Sequence, residues 1–90
     1  MAAYTVDARP RVRKALRQLD PTVRKKVLAK MRALATDPRP PGTEPLRGHS
    51  PWLRVRVGDY RIVYAVDDET RVVTVGTVGH RREVYRHLDL

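Results

Sequence analysis

Cysteine is absent from the 90-residue sequence, which excludes disulfide bonds and thiolate metal sites. Long apolar runs are absent too: nowhere do about eighteen apolar residues follow one another, and the N-terminal "MAAYTVDARP" contains no such stretch. These absences predict a soluble, cytoplasmic protein. The length leaves room for one domain, residues 1–90, with a single core.

Acidic residues are scarce relative to basic ones. Nineteen Lys and Arg stand against ten Asp and Glu, giving a formal net charge of +9, and arginine outnumbers lysine. Because the guanidinium group suits phosphate and carboxylate, the composition favours nucleic acid or an acidic protein as partner.

The first part of the chain predicts a short strand and a helical hairpin. "AYTV" is typical of a strand, and Asp7 and Pro10 predict the start of a helix. A second helix should start at Asp20 and Pro21 and end near Asp37. Apolar residues at helical spacing predict the buried faces: Val12, Ala15, Leu16 and Leu19 in the first helix, and Val23, Val27, Met31 and Leu34 in the second. The basic outer faces are either solvated or directed at RNA or an acidic partner.

The second part of the chain predicts a small sheet. Residues 37–51 hold five prolines and indicate a restrained loop. From Trp52 the apolar period is two, and "GD" at 58–59 predicts a two-residue hairpin turn. A last strand should run from about residue 71 to 78, and "RREVYRHL" indicates a short terminal helix. The predicted fold is α+β: a small antiparallel sheet packed against the N-terminal helical hairpin, with a short C-terminal helix.

The hairpin turn predicts an unusual pairing of like charges. If Gly58 and Asp59 form the loop, Arg56 lies opposite Arg61, with Arg54 beside them, on one face of the sheet, here called the arginine face. Such a pairing is destabilising by up to about 1 kcal/mol. Extending the register predicts that Arg61 lies opposite Gly76 and that Val78 and His80 also lie on the arginine face. This face is either a concavity that binds an anion, which would offset the repulsion, or an exposed surface whose arginines extend into water.

The residues of this hairpin and its flanks carry a family resemblance. "EPLRG…WLRVRVGDYRIVYAVDDETRVVTVGTVGHRREVY" resembles the RelE/ParE toxin superfamily of bacterial type II toxin–antitoxin pairs, most specifically over residues 53–85. The resemblance implies a RelE-like fold similar to microbial ribonucleases, and a small acidic antitoxin as partner. In the RelE branch the toxin enters the A site of the 70S ribosome, where it contacts 16S rRNA and cuts messenger RNA without metal. The cut occurs by attack of a ribose 2′-hydroxyl on the adjacent phosphate.

The resemblance also implies site residues. Arg54 and Arg56 match the basic pair in the strand of the RelE branch, and Arg61 matches its arginine after the turn. Arg81 matches its later arginine, and Tyr85 matches its final tyrosine. The similar YoeB branch has a glutamate, an arginine and a histidine that are matched by Glu44, Arg61 and His80.

One departure from the RelE pattern affects the expected proton transfers. RelE carries lysines where this chain has Arg54 and Arg56, and arginine is a poor general base. The expected base is therefore Glu44, with His80 as the acid, although either could be the base.

The remaining roles follow from charge and from the resemblance. Arg61 would grip the scissile phosphate, Arg54 and Arg56 would stabilise developing charge, Arg81 would hold backbone phosphate, and Tyr85 would orient substrate. His49 has no partner at ligand spacing, so no metal and no cofactor are expected. Trp52 can either stack on a nucleobase or seal the edge of the core.

Three functions share this sequence evidence. The first is a metal-independent, ribosome-dependent endoribonuclease acting on messenger RNA. The second is a ParE-like toxin that inhibits DNA gyrase by protein binding without nuclease chemistry. The third is a basic RNA-binding module without chemistry. Because the first two share a fold, the fold alone does not separate them.

Overall fold

The computed structural model describes residues 3–86, 88 and 90, and shows two helices on one face of a five-stranded sheet. In chain order the elements are β1 (Thr5–Ala8), α1 (Pro10–Arg17), α2 (Pro21–Ala33), β2 (Glu44–Pro45), β3 (Leu53–Val57), β4 (Tyr60–Asp67) and β5 (Val72–His80). The strand order is β1-β5-β4-β3-β2. The predicted α+β class is confirmed. Within the described residues, no helix is both long enough and apolar enough to cross a membrane.

The helical hairpin forms where capping and periodicity predict it. Pro10 and Pro21 occupy the first turns of α1 and α2, and the Asp20 carboxylate accepts a hydrogen bond from the Thr22 N–H at 2.9 Å. The predicted apolar faces meet the sheet in one core, whose helical members include Val12, Leu16, Val27, Met31 and Leu34. The second helix ends earlier than predicted, at Ala33, and residues 34–36 form turns.

The N-terminal strand departs from prediction in two respects. It runs to Ala8, because Asp7 pairs with Thr74 in the sheet, and Asp7 is therefore not the cap of α1. The position before α1 is Arg9, which makes no side-chain cap. The strand pairs parallel with β5, so the sheet is mixed and the prediction of a purely antiparallel sheet is wrong. Strand direction at this edge depends on where the helical hairpin returns the chain, which no local pattern encodes.

The β3–β4 hairpin has the predicted register. Val57 pairs with Tyr60, and Arg56 pairs with Arg61. Gly58 has a positive φ of 58°, a conformation that glycine adopts without steric cost. Val55, Ile62 and Tyr64 are buried against the helices, which leaves the arginine face on the other side of the sheet.

The β4–β5 register differs from the prediction. Val66 pairs with Val73 and Tyr64 with Val75, because Asp67 remains in the strand and its carboxylate caps the turn at Glu69 and Thr70. Beyond that point the register shifts: Val63 pairs with Thr77, so Gly76 is an extra, bulged residue in β5.

The bulge reverses the faces of the last residues of β5. Arg61 lies opposite Gly79 rather than Gly76. Val78 pairs with Ile62 and is buried in the helix-side core, and His80 pairs with Tyr60. The prediction that Val78 and His80 lie on the arginine face is therefore wrong.

The C-terminal segment forms turns where a short helix was predicted. Residues 81–86 are turns, with the His80 carbonyl accepting hydrogen bonds from the N–H groups of Glu83 and Val84. The chain bends because Val84 packs with Leu46 and Val63 in a second, smaller core on the arginine face, flanked by Trp52, Tyr85, Leu88 and Leu90. His87, within the predicted helix, lies outside the described residues.

Candidate functional site

The arginine face is partly covered by the C-terminal segment, and this cover divides its cations into two groups. Arg54 lies beside the second core, together with Glu44 and Tyr85. Arg56 and Arg61 lie at the β3–β4 turn, where Arg81 also contacts the chain. Six of the seven predicted site residues thus lie on or beside this face.

Arg61 is the buried member of the set, with only 8% of its surface exposed. Its Nη1 donates to the carbonyl oxygens of Gly58 and Tyr60, both at 3.0 Å, which ties the guanidinium to the hairpin turn. Its Nε is buried without a hydrogen-bond partner among the described residues. A buried donor left unpaired typically costs about 1–3 kcal/mol, and here the exposed cation of Arg56 faces it across the strands.

Glu44, Arg54 and Tyr85 form a hydrogen-bonded cluster. Pairing of β2 with β3 places Glu44 opposite Arg54, whose Nη2 lies 2.7 Å from Glu44 Oε2. Arg54 Nη1 donates to the Tyr85 hydroxyl at 3.2 Å. The hydrogen bonds to Tyr85 and to the Glu44 carboxylate both raise the pKa of Arg54, which remains a cation. Glu44 keeps 57% of its side-chain surface exposed, so a substrate can reach the carboxylate.

The loop before Glu44 is attached to the core through a buried tyrosine. Tyr64 is fully buried, and its hydroxyl donates to the Pro38 carbonyl at 2.7 Å and lies 3.2 Å from the Thr43 hydroxyl. Burial raises the pKa of Tyr64, so the phenol stays protonated and able to donate. This attachment positions the residue immediately before Glu44.

Arg81 lies at the turn end of the arginine face. Its N–H donates to the Asp59 carbonyl at 2.7 Å, and its Nε lies 4.0 Å from Asp59 Oδ1. The side chain is 49% exposed. Such a loose ion pair leaves the guanidinium available for a phosphate.

His80 lies apart from these residues. It pairs with Tyr60 on the helix face, and the two rings make an edge contact with centroids 5.6 Å apart. His80 Nδ1 accepts from the Arg82 N–H at 3.4 Å. The sequence-based expectation joined this imidazole to the arginines, and the β5 bulge separates them.

An open groove of about 560 Å³ runs beside the Glu44–Arg54–Tyr85 cluster. Its wall includes these three residues together with Arg47 and His49. Sequence reasoning did not single out Arg47, an exposed arginine in the proline-rich loop; the only available signal was its place in the "EPLRG" motif. Within residues 3–86, 88 and 90, no three His, Asp or Glu side chains are grouped as metal ligands.

Fold and site together define a class: a small, basic α+β protein that groups cations on the sheet face opposite its two helices. A family model described as the ParE toxin of type II toxin–antitoxin systems matches residues 4–85. The chain therefore belongs to this toxin family, within the RelE/ParE superfamily.

Three solved toxin–antitoxin structures are similar to this chain. The RelE–RelB complex from Pyrococcus horikoshii OT3 is 26% identical, covering 91% of this chain and 99% of that one, with a TM-score of 0.79. The RelBE2 complex from Mycobacterium tuberculosis is 31% identical, covering 88% and 99%, with a TM-score of 0.78. The intact RelBE complex from E. coli is 35% identical, covering 87% and 96%, with a TM-score of 0.75.

Proposed function

We propose that this toxin is a cytoplasmic, metal-independent endoribonuclease that cleaves messenger RNA in the A site of the 70S ribosome, where it also contacts 16S rRNA. The observation that carries the proposal is the grouping of a reachable carboxylate and a tyrosine hydroxyl around Arg54, on a face that also holds Arg56, Arg61 and Arg81. Similarity to RelE toxins supports the same reading.

The proposed reaction uses the ribose of the substrate as nucleophile. The 2′-oxygen forms a bond to the adjacent phosphorus while the bond from phosphorus to the 5′-oxygen breaks. Glu44 accepts the proton of the 2′-hydroxyl. The products are a 2′,3′-cyclic phosphate, or the 3′-phosphate formed when it opens, and a 5′-hydroxyl.

Tyr85 is the proposed proton donor to the departing 5′-oxygen. Its hydroxyl oxygen accepts a hydrogen bond from Arg54, so its own proton is free to point into the groove. His80, expected from sequence for this step, lies on the opposite face of the sheet.

The arginines supply charge stabilisation in this scheme. The exposed Arg56 and Arg81 contact the phosphates directly, and Arg54 faces the negative charge that develops on the non-bridging oxygens of the phosphate. Arg61 acts from beneath the surface, where its cation interacts more strongly than it would in water.

A ribosome-bound message with a single 2′-deoxy substitution at the cleavage position tests this chemistry. The ribose message should be cut to 5′-hydroxyl ends, also in EDTA added to preformed ribosome complexes, and the deoxy message should resist. Glu44→Gln and Tyr85→Phe should each lower the rate by roughly 10²-fold or more, whereas the matched control His80→Gln should change it little. Equal cutting of both messages, or 5′-phosphate ends, would contradict the scheme.

The proposed antitoxin is a small acidic protein that covers the arginine face. Similar RelE toxins occur in complexes with RelB, and the +9 charge of this chain favours an acidic partner. Covering this face would block access of the messenger RNA to the groove beside Glu44, Arg54 and Tyr85.

A protein-binding toxin without nuclease chemistry is the second candidate, favoured by the match to the ParE model over residues 4–85. It would inhibit DNA gyrase through surface contacts. Intact messages together with inhibited gyrase supercoiling would favour this candidate.

A further inference from the structure

The loop between α2 and β2 contacts one buried hydroxyl at both of its ends. Tyr64 is fully buried in the helix-side core, and its hydroxyl donates to the Pro38 carbonyl at 2.7 Å. The same oxygen lies 3.2 Å from the Thr43 hydroxyl. Because its single proton is donated to Pro38, this oxygen is the acceptor toward Thr43. One side chain therefore joins the first and the last residue of the segment 38–43.

The backbone of this segment is poorly suited to attach itself to the core. Three of its six residues are prolines, which have no N–H to donate. The Thr43 N–H donates to the Pro40 carbonyl at 3.1 Å, within the loop itself. Arg39 pairs with Asp68 outside the loop, but both side chains are largely exposed, and such pairs contribute little. The hydrogen bonds of Tyr64, in contrast, attach the loop from a buried position.

Glu44 follows this segment directly, in a very short strand. β2 consists of Glu44 and Pro45, paired with Arg54 and Leu53 of β3. Two residues are fewer than an ordinary strand contains, so pairing alone fixes the strand weakly. The position of the Glu44 carboxylate therefore also depends on how the preceding segment is held.

We infer that Tyr64 is a positioning residue for the proposed cleavage: through Thr43 it holds the Glu44 carboxylate where it can accept the proton of the 2′-hydroxyl. Tyr64 is buried and does not touch the message. The inference rests on the proposed nuclease function, in which Glu44 is the base. A displacement of about 1 Å in a reacting group can cost roughly 10²-fold in rate, so a loosened loop should slow the reaction without weakening binding of the message.

The experiment removes each hydroxyl in turn from the full chain. Tyr64→Phe keeps the ring that fills the core. In single-turnover cleavage of ribosome-bound message, its maximal rate should fall roughly ten-fold, while the half-saturating toxin concentration changes less than about two-fold. Thr43→Val should lower the maximal rate to a similar extent. Thr43→Ser keeps a hydroxyl and should retain the parent rate.

A double-mutant cycle tests whether Tyr64 acts through Glu44. In the Glu44→Gln background no base remains to be positioned, so adding Tyr64→Phe should lower the residual rate by less than about two-fold. A structural role of Tyr64 would instead give the same further loss in both backgrounds.

A destabilised variant is the matched control. Val12→Ala opens a small cavity in the same core, on a helix that contributes no residue to the Glu44–Arg54–Tyr85 cluster. Its melting temperature should fall at least as far as that of Tyr64→Phe, and its maximal rate below the melting transition should equal that of the parent. Equal rate losses in the two variants would overturn the inference.

Amide hydrogen exchange gives a readout that does not depend on activity. The Thr43 N–H is hydrogen-bonded within the loop. In Tyr64→Phe its exchange should be faster by roughly ten-fold or more, beyond any change shared with the amides of β4 and β5. Unchanged exchange of this amide would show that Tyr64 does not hold the loop.

The remaining outcomes separate this inference from the proposed function. If the parent cuts the message and Tyr64→Phe cuts it equally fast, the inference is overturned and the nuclease proposal stands. A loss confined to the half-saturating concentration, or a full further loss in the Glu44→Gln background, overturns it in the same way. If the parent cuts no message, the inference and the proposed function both fail.

Discussion

At the residue scale, Arg61 combines features that ordinary packing avoids. It is a buried cation with an unpaired Nε, no carboxylate partner among the described residues, and another arginine across the strand. Its two hydrogen bonds to turn carbonyls stabilise the hairpin, while the unpaired donor and the facing charge oppose that stabilisation. A phosphate bound as proposed above would offset the facing charge.

Replacing Arg61 by glutamine should therefore separate activity from stability. The change removes the two turn hydrogen bonds but also removes the buried charge, so the melting temperature should shift by only a few degrees. Cleavage of ribosome-bound message should fall by roughly 10²-fold, as is typical when one charge stabiliser is lost. Thermal melts and single-turnover cleavage rates check the two effects.

The exposed Arg56 provides the matched control for this variant. Arg56→Gln relieves the same repulsion without disturbing the turn, so the protein should melt at an equal or slightly higher temperature. A large loss of melting temperature in Arg61→Gln alone would identify Arg61 as a structural residue and remove it from the site.

At the scale of elements, the bulge in β5 decides which side chains share a face. Gly76 is the extra residue; its carbonyl accepts from Arg11 Nε at 2.8 Å, and its bare Cα lies under the indole of Trp52. The bulge turns Val78 into the helix-side core and moves His80 away from the arginines. One glycine therefore affects both the composition of the arginine face and the packing of Trp52.

Substituting Gly76 by alanine should disturb this arrangement. The new Cβ would lie 2.7 Å from Trp52 and 2.9 Å from Leu90, so the indole has to move, at a cost of about 1–3 kcal/mol. Denaturant unfolding should show that loss, and Trp52 emission should shift to longer wavelength as the ring enters water.

Gly79→Ala is the control for this change on the same strand. A Cβ at Gly79 would meet Val84 at 3.5 Å, an ordinary van der Waals distance, so stability and emission should change little. If the two alanine variants show the same stability and emission, the prediction is wrong, and close packing of Trp52 does not explain the glycine at position 76.

At the scale of the whole molecule, Asp68 joins three distant parts of the chain. Its carboxylate accepts a hydrogen bond from the Tyr4 hydroxyl at 2.6 Å. It also forms a bidentate ion pair with Arg39, in which Nη1 lies 3.3 Å from Oδ1 and Nη2 lies 3.0 Å from Oδ2. Tyr4 precedes β1, Arg39 lies in the proline-rich loop, and Asp68 lies in the turn before β5. The hydrogen bonds from Arg39 and Tyr4 lower the pKa of Asp68.

This lowered pKa predicts the sign of an acid effect on stability. A carboxyl whose pKa is lower in the folded state stabilises the fold above its ordinary pKa of about 3.9, and the contribution is lost as the pH falls through the folded-state value. The difference in unfolding free energy between the parent and Asp68→Asn should therefore be positive near neutrality and shrink toward zero in acid. Denaturant titrations at a series of pH values measure it.

The neighbouring Glu69 provides the comparison for Asp68. Glu69→Gln removes an exposed carboxylate from the same turn. Because Glu69 takes no part in the contact of Asp68 with Tyr4 and Arg39, this variant controls for the loss of one negative charge from the turn. A difference for Asp68→Asn that does not fall in acid would show that the charge of the Asp68 carboxylate contributes nothing to stability in solution.

The sequence by itself determined those features whose energetics are local. The period of two around Gly58 and Asp59 was sufficient for the Arg56–Arg61 pairing, and Pro10, Asp20 and Pro21 were sufficient to locate the starts of both helices. Capping, turn geometry and side-chain alternation act over a few residues, so a single chain segment contains the information. The family resemblance added Glu44, Arg81 and Tyr85 to the three arginines that the register had already grouped.

Only the tertiary structure decided the features that depend on contacts between distant segments. The parallel pairing of β1, the bulge at Gly76 with the displacement of His80, and the burial of Arg61 all belong to this group. The bulge at Gly76 is in contact with Trp52 and accepts a hydrogen bond from Arg11, residues far away along the chain. A one-residue register shift moves every later side chain to the other face, so an alternation pattern cannot be extended through a bulge that it does not contain.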